Sequence, residues 1–104
     1  MSNTADQFEP ELLQRVDEVL HYHWDPLGVS REPAARQEYA AFVPEVFAAL
    51  LDDADEHRVM ELLLLLESEF LGLGPRPSQA RRVAEMLVDW RVLLEQQYGG
   101  GSSY

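Results

Sequence analysis

Apolar residues recur at helical spacing in four segments of this chain, separated by proline, glycine or acidic residues. The first segment runs from about Pro10 to Trp24, and the acidic residues on both sides of Pro10 suit a helix start. Its apolar stripe contains Leu12, Val16, Val19, Leu20 and His23. We therefore expect a helix that turns His23 toward the core, as a buried and hydrogen-bonded residue, and His21 toward the outside.

The second segment extends from about Pro33 to Leu51 and includes a proline at position 44. Its apolar stripe contains Tyr39, Phe42, Val43, Val46, Phe47, Leu50 and Leu51. The stripe keeps its phase across Pro44, which favours one helix that is kinked at this residue. The alternative is a short break, after which Pro44 starts a second segment.

The third segment covers about Asp55 to Leu71, and its five consecutive leucines at 62–66 make it apolar on nearly every side. Such a helix is usually the most enclosed element of a bundle. The fourth segment begins near Ser78, a favourable N-cap residue, and ends near Tyr98. Its stripe contains Ala80, Val83, Ala84, Leu87, Trp90 and Leu94.

These patterns predict an all-α fold: a single small domain with a four-helix bundle-like array and a second helix kinked at Pro44. No segment shows the period-2 alternation of a strand. We expect a flexible N-terminus at 1–9, a helical domain at 10–98 and a disordered Gly/Ser tail at 99–104.

Residues 24–29, Trp-Asp-Pro-Leu-Gly-Val, predict a fixed non-helical junction between the first two segments. Pro26 has no N–H and disfavours helix at the preceding residue, so the first helix must end near Trp24. Asp25 can accept hydrogen bonds from the turn that follows, and Gly28 permits backbone conformations closed to other residues. We assign Trp24, Asp25, Pro26 and Gly28 as the structural residues of the junction.

The net charge of the chain indicates which class of binding partner it would attract. Nineteen acidic residues face eight arginines, a net charge of −11. Residues 1–75 hold sixteen acids and four arginines (−12), and residues 76–104 hold three acids and four arginines (+1). This charge repels nucleic acid and anionic membranes but attracts a basic protein. Simple solvation by a charged surface is the alternative. We assign the candidate partner surface to Asp52, Asp53, Asp55 and Glu56.

The residues offer little for catalysis, and we predict no catalytic, cofactor-binding or metal-ligating residue. Glu18 and His21 have the Glu-x-x-His spacing of di-iron bundles, but a second such pair is missing. A small metal-dependent enzyme using His21, His23 and Asp25 is the alternative function. Glu67 or Glu69 could instead be a buried anchor that accepts a hydrogen bond from Trp24, Tyr39 or an arginine. The arginines at 76, 81 and 82 form a small basic patch whose role stays open.

The chain contains no cysteine, and its first residues lack the pattern of a secretory signal. The leucine run is far shorter than the roughly 20 residues that span a bilayer. These observations lead us to expect a cytoplasmic protein.

The junction resembles that of a family of short, all-helical bacterial proteins of unassigned function. They carry Trp-Asp-Pro-(Ile/Leu)-Gly-Val, a following Glu-Tyr and a Gly-Leu after the third helix. Here these are residues 24–29, Glu38-Tyr39 and Gly72-Leu73, with Glu67 at the place of an acidic residue before the glycine. The resemblance covers about residues 10–75. It implies no accepted catalytic residues, and a place among small genes near toxin systems where immunity proteins occur.

Composition and resemblance together suggest a non-enzymatic, acidic protein-interaction module, with immunity against a basic toxin as its most concrete form. A structural homodimer is a further alternative, in which exposed apolar positions such as Val88 and Val92 on the fourth helix pair with a second copy.

Overall fold

The computed structural model describes residues 5–25, 39–70, 72, 74 and 76–98. This part of the chain forms four α-helices and no strand. The helices are α1 (Ala5–Val19), α2 (Val43–Leu51), α3 (Glu56–Leu65) and α4 (Pro77–Gln97). The prediction of a small all-α domain is confirmed. Pro26, Gly28 and the predicted tail at 99–104 lie outside the described residues.

Helix α1 begins at Ala5, before the predicted start, and contains Pro10 in its interior. Pro10 has no N–H, so the helix lacks one backbone hydrogen bond near its beginning. Phe8 packs against the core, and this contact holds the early turns in place. Residues 5–9, which were expected to belong to a flexible N-terminus, are therefore helical, and their flexibility stays a prediction.

Helices α1 and α3 each continue into a π-helical turn, at Leu20–Trp24 and Leu66–Phe70. A π-helical turn holds more residues than an α-helical one, so the side chains that follow change face. His21 is consequently buried, at 4% exposure, whereas His23 is exposed. The prediction that placed His23 in the core and His21 outside is wrong for this reason.

Pro44 stands in the first turn of α2, which begins at Val43. Residues 39–40 are helical, and residues 41–42 form a turn before α2. Proline fits a first turn because the N–H that it lacks would have no acceptor there. One continuous helix kinked at Pro44 is therefore wrong, and the alternative of a break before this segment is correct.

Helix α3 buries one face only, which includes Val59 and Leu63, while Leu65 remains 49% exposed. The five consecutive leucines at 62–66 led us to expect that α3 is the most enclosed helix, and this expectation is wrong. Helix α4 buries the predicted stripe except for Trp90, which is half-buried. It begins with Pro77 rather than with a Ser78 cap.

All four helices contribute to one core, and α3 packs most extensively against α4. Its buried members are Leu12, Val16, Val19, Leu20, Trp24, Tyr39, Val43, Val46, Leu50, Ala54, Val59, Leu63, Leu66, Ala80, Val83, Ala84, Leu87 and Leu94. The core thus lies beneath the end of α1 and beneath the loop between α2 and α3. These are the regions that the sequence predicts as the structural junction and the partner surface.

Candidate functional site

The loop between α2 and α3, together with the first residue of α3, carries the four acidic residues predicted as a partner surface. Asp52, Asp53, Asp55 and Glu56 are all exposed. Within the described part of the chain, none of the four forms a salt bridge. We call residues 52–56 the acidic loop, and its negative charge is open to solvent.

The first half of the acidic loop is a Schellman motif that ends α2. The Asp53 N–H donates to the Leu50 carbonyl, and the Ala54 N–H donates to the Ala49 carbonyl, both at 3.1 Å. Asp53 has φ 62°, the left-handed conformation that this motif requires. Aspartate visits this region more readily than most residues because its short polar side chain can bond locally.

The second half of the acidic loop starts α3. The Asp55 side chain accepts a hydrogen bond from the Arg58 backbone N–H at 2.9 Å and so acts as the N-cap. Glu56 follows in the first turn, where the helix dipole favours negative charge. Between the two halves, Ala54 is 1% exposed and fixes the loop to the core.

A buried arginine of α4 holds the acidic loop from below. Nη1 of Arg91 donates to the Leu50 carbonyl at 3.2 Å and to the Ala54 carbonyl at 2.8 Å. Arg91 is 8% exposed. Arg91 was not among the predicted site residues, although its spacing from Leu87 and Leu94 places it on the buried stripe of α4. Helix C-terminal carbonyls favour such a cation.

A second polar cluster lies where α1 ends. Nε1 of Trp24 donates to Oε2 of Glu67 at 2.8 Å, and both side chains are almost completely buried. The hypothesis of a buried glutamate anchor that accepts from Trp24 is confirmed for Glu67, whereas Glu69 is exposed. Among the described residues, Oε1 of Glu67 is buried without a hydrogen-bond partner, so the bond from Trp24 to Oε2 is the main compensation for the lost hydration of this carboxyl group.

Asp25 belongs to the same cluster. It has φ 30° and ψ 57°, and its N–H closes the π-helical turn by donating to the Leu20 carbonyl at 3.1 Å. The Tyr39 hydroxyl donates to Oδ1 of Asp25 at 2.7 Å. The Trp24 and Tyr39 rings are also in contact, with centroids 5.6 Å apart. These contacts tie the end of α1 to the segment that precedes α2.

Side chains at the start of α4 bind the last carbonyls of the first π-helical turn. Nε2 of Gln79 donates to the His23 carbonyl at 2.6 Å, and Nη2 of Arg76 donates to the Trp24 carbonyl at 3.3 Å. Of the predicted basic patch, Arg76 therefore serves as a cap. The other two arginines differ: Arg81 pairs with Glu85 at 3.6 Å, and the arginine at 82 is exposed.

The structure does not assemble the residues of the metal-enzyme alternative. His21 is buried while His23 is exposed, so the π-helical turn places the two imidazoles on different sides. Glu18 binds Arg15 at 3.2 Å rather than His21. Among the described residues, no group of three or more histidine, aspartate or glutamate side chains is placed to hold a metal ion.

No known protein family, curated protein or solved structure matches this chain. The resemblance to the family of short helical bacterial proteins therefore stays a prediction. In the part of the chain that the structure describes, no helix combines the length and the apolar character needed to cross a bilayer.

The hydrogen bonds of Arg91 predict a large loss of stability in Arg91→Met. Methionine keeps an apolar stem but removes the donor to the Leu50 and Ala54 carbonyls, so we expect the free energy of unfolding to fall by about 2–3 kcal/mol. Urea denaturation followed by circular dichroism measures this. Arg58→Met, at an exposed position, is the control and should stay within about 0.5 kcal/mol. Equal effects of the two substitutions would contradict the assigned role of Arg91.

The Trp24–Glu67 bond predicts strong coupling in a double-mutant cycle. Trp24→Phe leaves a buried carboxyl without its donor, and Glu67→Leu leaves the indole N–H without an acceptor, so each costs about 1–3 kcal/mol or more. The double variant should be more stable than the sum of the single losses implies, by about 0.5–3 kcal/mol. Additive losses in chemical denaturation would show that the two groups do not interact energetically.

Proposed function

We propose that this chain is a non-enzymatic protein-interaction module whose acidic loop binds a basic protein. The observation that carries the proposal is the combination of exposed carboxylates, which form no salt bridge with any described residue, and a backbone fixed by Asp53, Asp55 and Arg91. A loop that needs no ordering on binding avoids part of the entropic cost of association.

The charge of the whole chain supports the same partner class. A net charge of −11 attracts a basic protein over long range and accelerates encounter at low salt. The acidic loop then supplies four carboxylates close together in the sequence, at positions 52, 53, 55 and 56. Complementary charge of this kind contributes mainly to association rate and to partner choice.

The most concrete form of this function is immunity against a basic toxin. A toxin that acts on nucleic acid needs a basic groove for phosphates, and a rigid cluster of carboxylates can occupy such a groove. The resemblance of the Trp24–Val29 junction to proteins near toxin systems supports this form, as does the excess of acidic residues.

Neutralising the acidic loop should slow association. The substitutions Asp52→Asn, Asp53→Asn, Asp55→Asn and Glu56→Gln remove four of the negative charges and so change the net charge from −11 to −7. Asparagine also serves as an N-cap and tolerates the left-handed conformation, so the loop should keep its shape. We expect association with the partner to slow by about tenfold or more at low salt.

A control variant carries the same change of net charge outside the acidic loop. Glutamine replaces Glu9, Glu45, Glu69 and Glu85. If the acidic loop is the contact surface, this control should lose much less association rate than the loop variant, and stopped-flow or biosensor kinetics can compare them. Equal slowing by both variants would mean that only net charge matters and would contradict the assigned surface.

The partner can be found by comparing three baits in a lysate of the source organism: the wild type, the loop variant and the control. We expect a basic protein that binds the wild type and the control at low salt and is eluted by about 0.3–0.5 M salt. Immunity further requires that this protein is toxic when produced alone and harmless with the wild type. A partner that binds all three baits equally, or no partner, would contradict the proposal.

A further inference from the structure

The π-helical turn at Leu66–Phe70 points Phe70 away from the core. Leu63 and Leu66 are buried three residues apart, and in a regular α-helix Phe70 would follow them at i+7 on the same face. The π-helical turn instead leaves Phe70 63% exposed and buries Glu67 completely. A buried carboxyl group and an exposed phenyl ring reverse the usual distribution of these groups. Since π-helical turns are frequent at functional sites, Phe70 is a candidate contact residue.

An apolar patch surrounds Phe70. Leu65 precedes it by one π-helical turn and is 49% exposed, and Leu62 is half-buried three residues before Leu65. The Phe42 ring contacts the Phe70 ring, with centroids 6.0 Å apart. It also contacts the buried Trp24 ring, with centroids 6.1 Å apart, so the patch is attached to the polar cluster at the end of α1. We call Phe42, Leu62, Leu65 and Phe70 the α3 patch.

Carboxylates border the α3 patch. Glu61 and Glu69 are exposed, and they lie four residues before and four residues after Leu65, which makes them its neighbours on the helix surface. Glu61 binds His57 at 3.0 Å, whereas Glu69 forms no salt bridge with any described residue. Arg58 is exposed on the same face, but it lies about 10 Å before Leu65 along the axis. The most exposed part of the patch is therefore bordered by negative charge.

We propose that the α3 patch is the apolar anchor point for the basic partner of the acidic loop. A segment of the partner places apolar side chains on Leu65 and Phe70 and lysine or arginine side chains beside Glu61 and Glu69. This inference rests on the proposed function. Charge complementarity selects the occupant, because an acidic segment or the same patch of a second copy would bring like charges together.

The acidic loop and the α3 patch are close enough to belong to one interface. From Glu56 to Phe70 the helix rises by about 20 Å. A standard interface buries about 800 Å² on each partner, which corresponds to a surface roughly 30 Å across. The two parts have different tasks: exposed charges mainly accelerate association, whereas a covered aromatic ring mainly slows dissociation.

Two labelled peptides test the proposal by fluorescence anisotropy at an ionic strength of about 0.15 M. The first is a helix-forming peptide of lysine and leucine, with the leucines at helical spacing. The second carries alanine in place of each leucine and has the same charge. The wild type should bind the leucine peptide about tenfold or more tightly than the alanine peptide, because only leucine side chains can cover the α3 patch. Equal affinity of the wild type for both peptides would overturn the proposal.

Substitutions locate the binding of the leucine peptide. Phe70→Gln and Leu65→Gln should each remove most of the preference for leucine, and circular dichroism checks that both variants are folded. Of the two α4 positions expected to be exposed, Val88 is half-buried against the core, whereas Val92 is 41% exposed. Val92→Gln is therefore a matched control that should keep the preference. Equal losses in Phe70→Gln and Val92→Gln would overturn the assignment of the α3 patch.

The variant with a neutralised acidic loop separates this inference from the proposed function. It should bind both peptides more weakly and still prefer leucine. If it does so while Phe70→Gln also prefers leucine as the wild type does, the inference is overturned and the acidic loop stands. If the loop variant binds both peptides like the wild type while Phe70→Gln loses the preference, the acidic loop is contradicted and the α3 patch is supported.

Discussion

The acidic loop, which is the candidate partner surface, depends on the hydrogen bonds that the Arg91 guanidinium donates. A buried charge is costly unless it is hydrogen-bonded. Nη1 of Arg91 donates to two carbonyls, those of Leu50 and Ala54, while Nε is buried without a partner among the described residues. Helix α4 plays the same part at the end of α1, where Arg76 and Gln79 bind carbonyls of the first π-helical turn. Side chains of α4 and of its N-cap thus donate hydrogen bonds to the C-terminal ends of α1 and α2. These bonds fix the acidic loop and the polar cluster around Trp24 on the core.

Hydrophobic periodicity predicted the fold class and the extent of α3 and α4, because a helix buried on one face leaves a clear apolar stripe. It failed where the backbone departs from α-helical geometry. The π-helical turn at Leu20–Trp24 buries His21 and exposes His23, the reverse of the prediction. A rule based on 3.6 residues per turn cannot predict this change. The prediction of one helix kinked at Pro44 was wrong for a related reason. An apolar stripe that keeps its phase also fits a turn followed by a new helix.

The candidate site was predicted in part. Acidic residues between two helical segments indicated an exposed loop, and a glutamate within an apolar helix indicated a buried acceptor for Trp24. The support of the loop could not be predicted. Arg91 lies 41 and 37 residues from its acceptors, and a polar residue on an apolar stripe does not by itself name its partners. The left-handed Asp53 likewise depends on how α2 ends, where glycine would have been the usual sign.

Amide hydrogen exchange at Asp52, Asp53 and Ala54 tests most directly whether Arg91 holds the acidic loop in one conformation. These N–H groups donate to carbonyls of α2, so they should exchange slowly in the wild type. Arg91→Met should accelerate their exchange more than that of the Asp25 amide, at the other end of the core, which changes only with the loss of global stability. Fast exchange of the loop amides in the wild type, or equal acceleration at Asp25, would contradict the account.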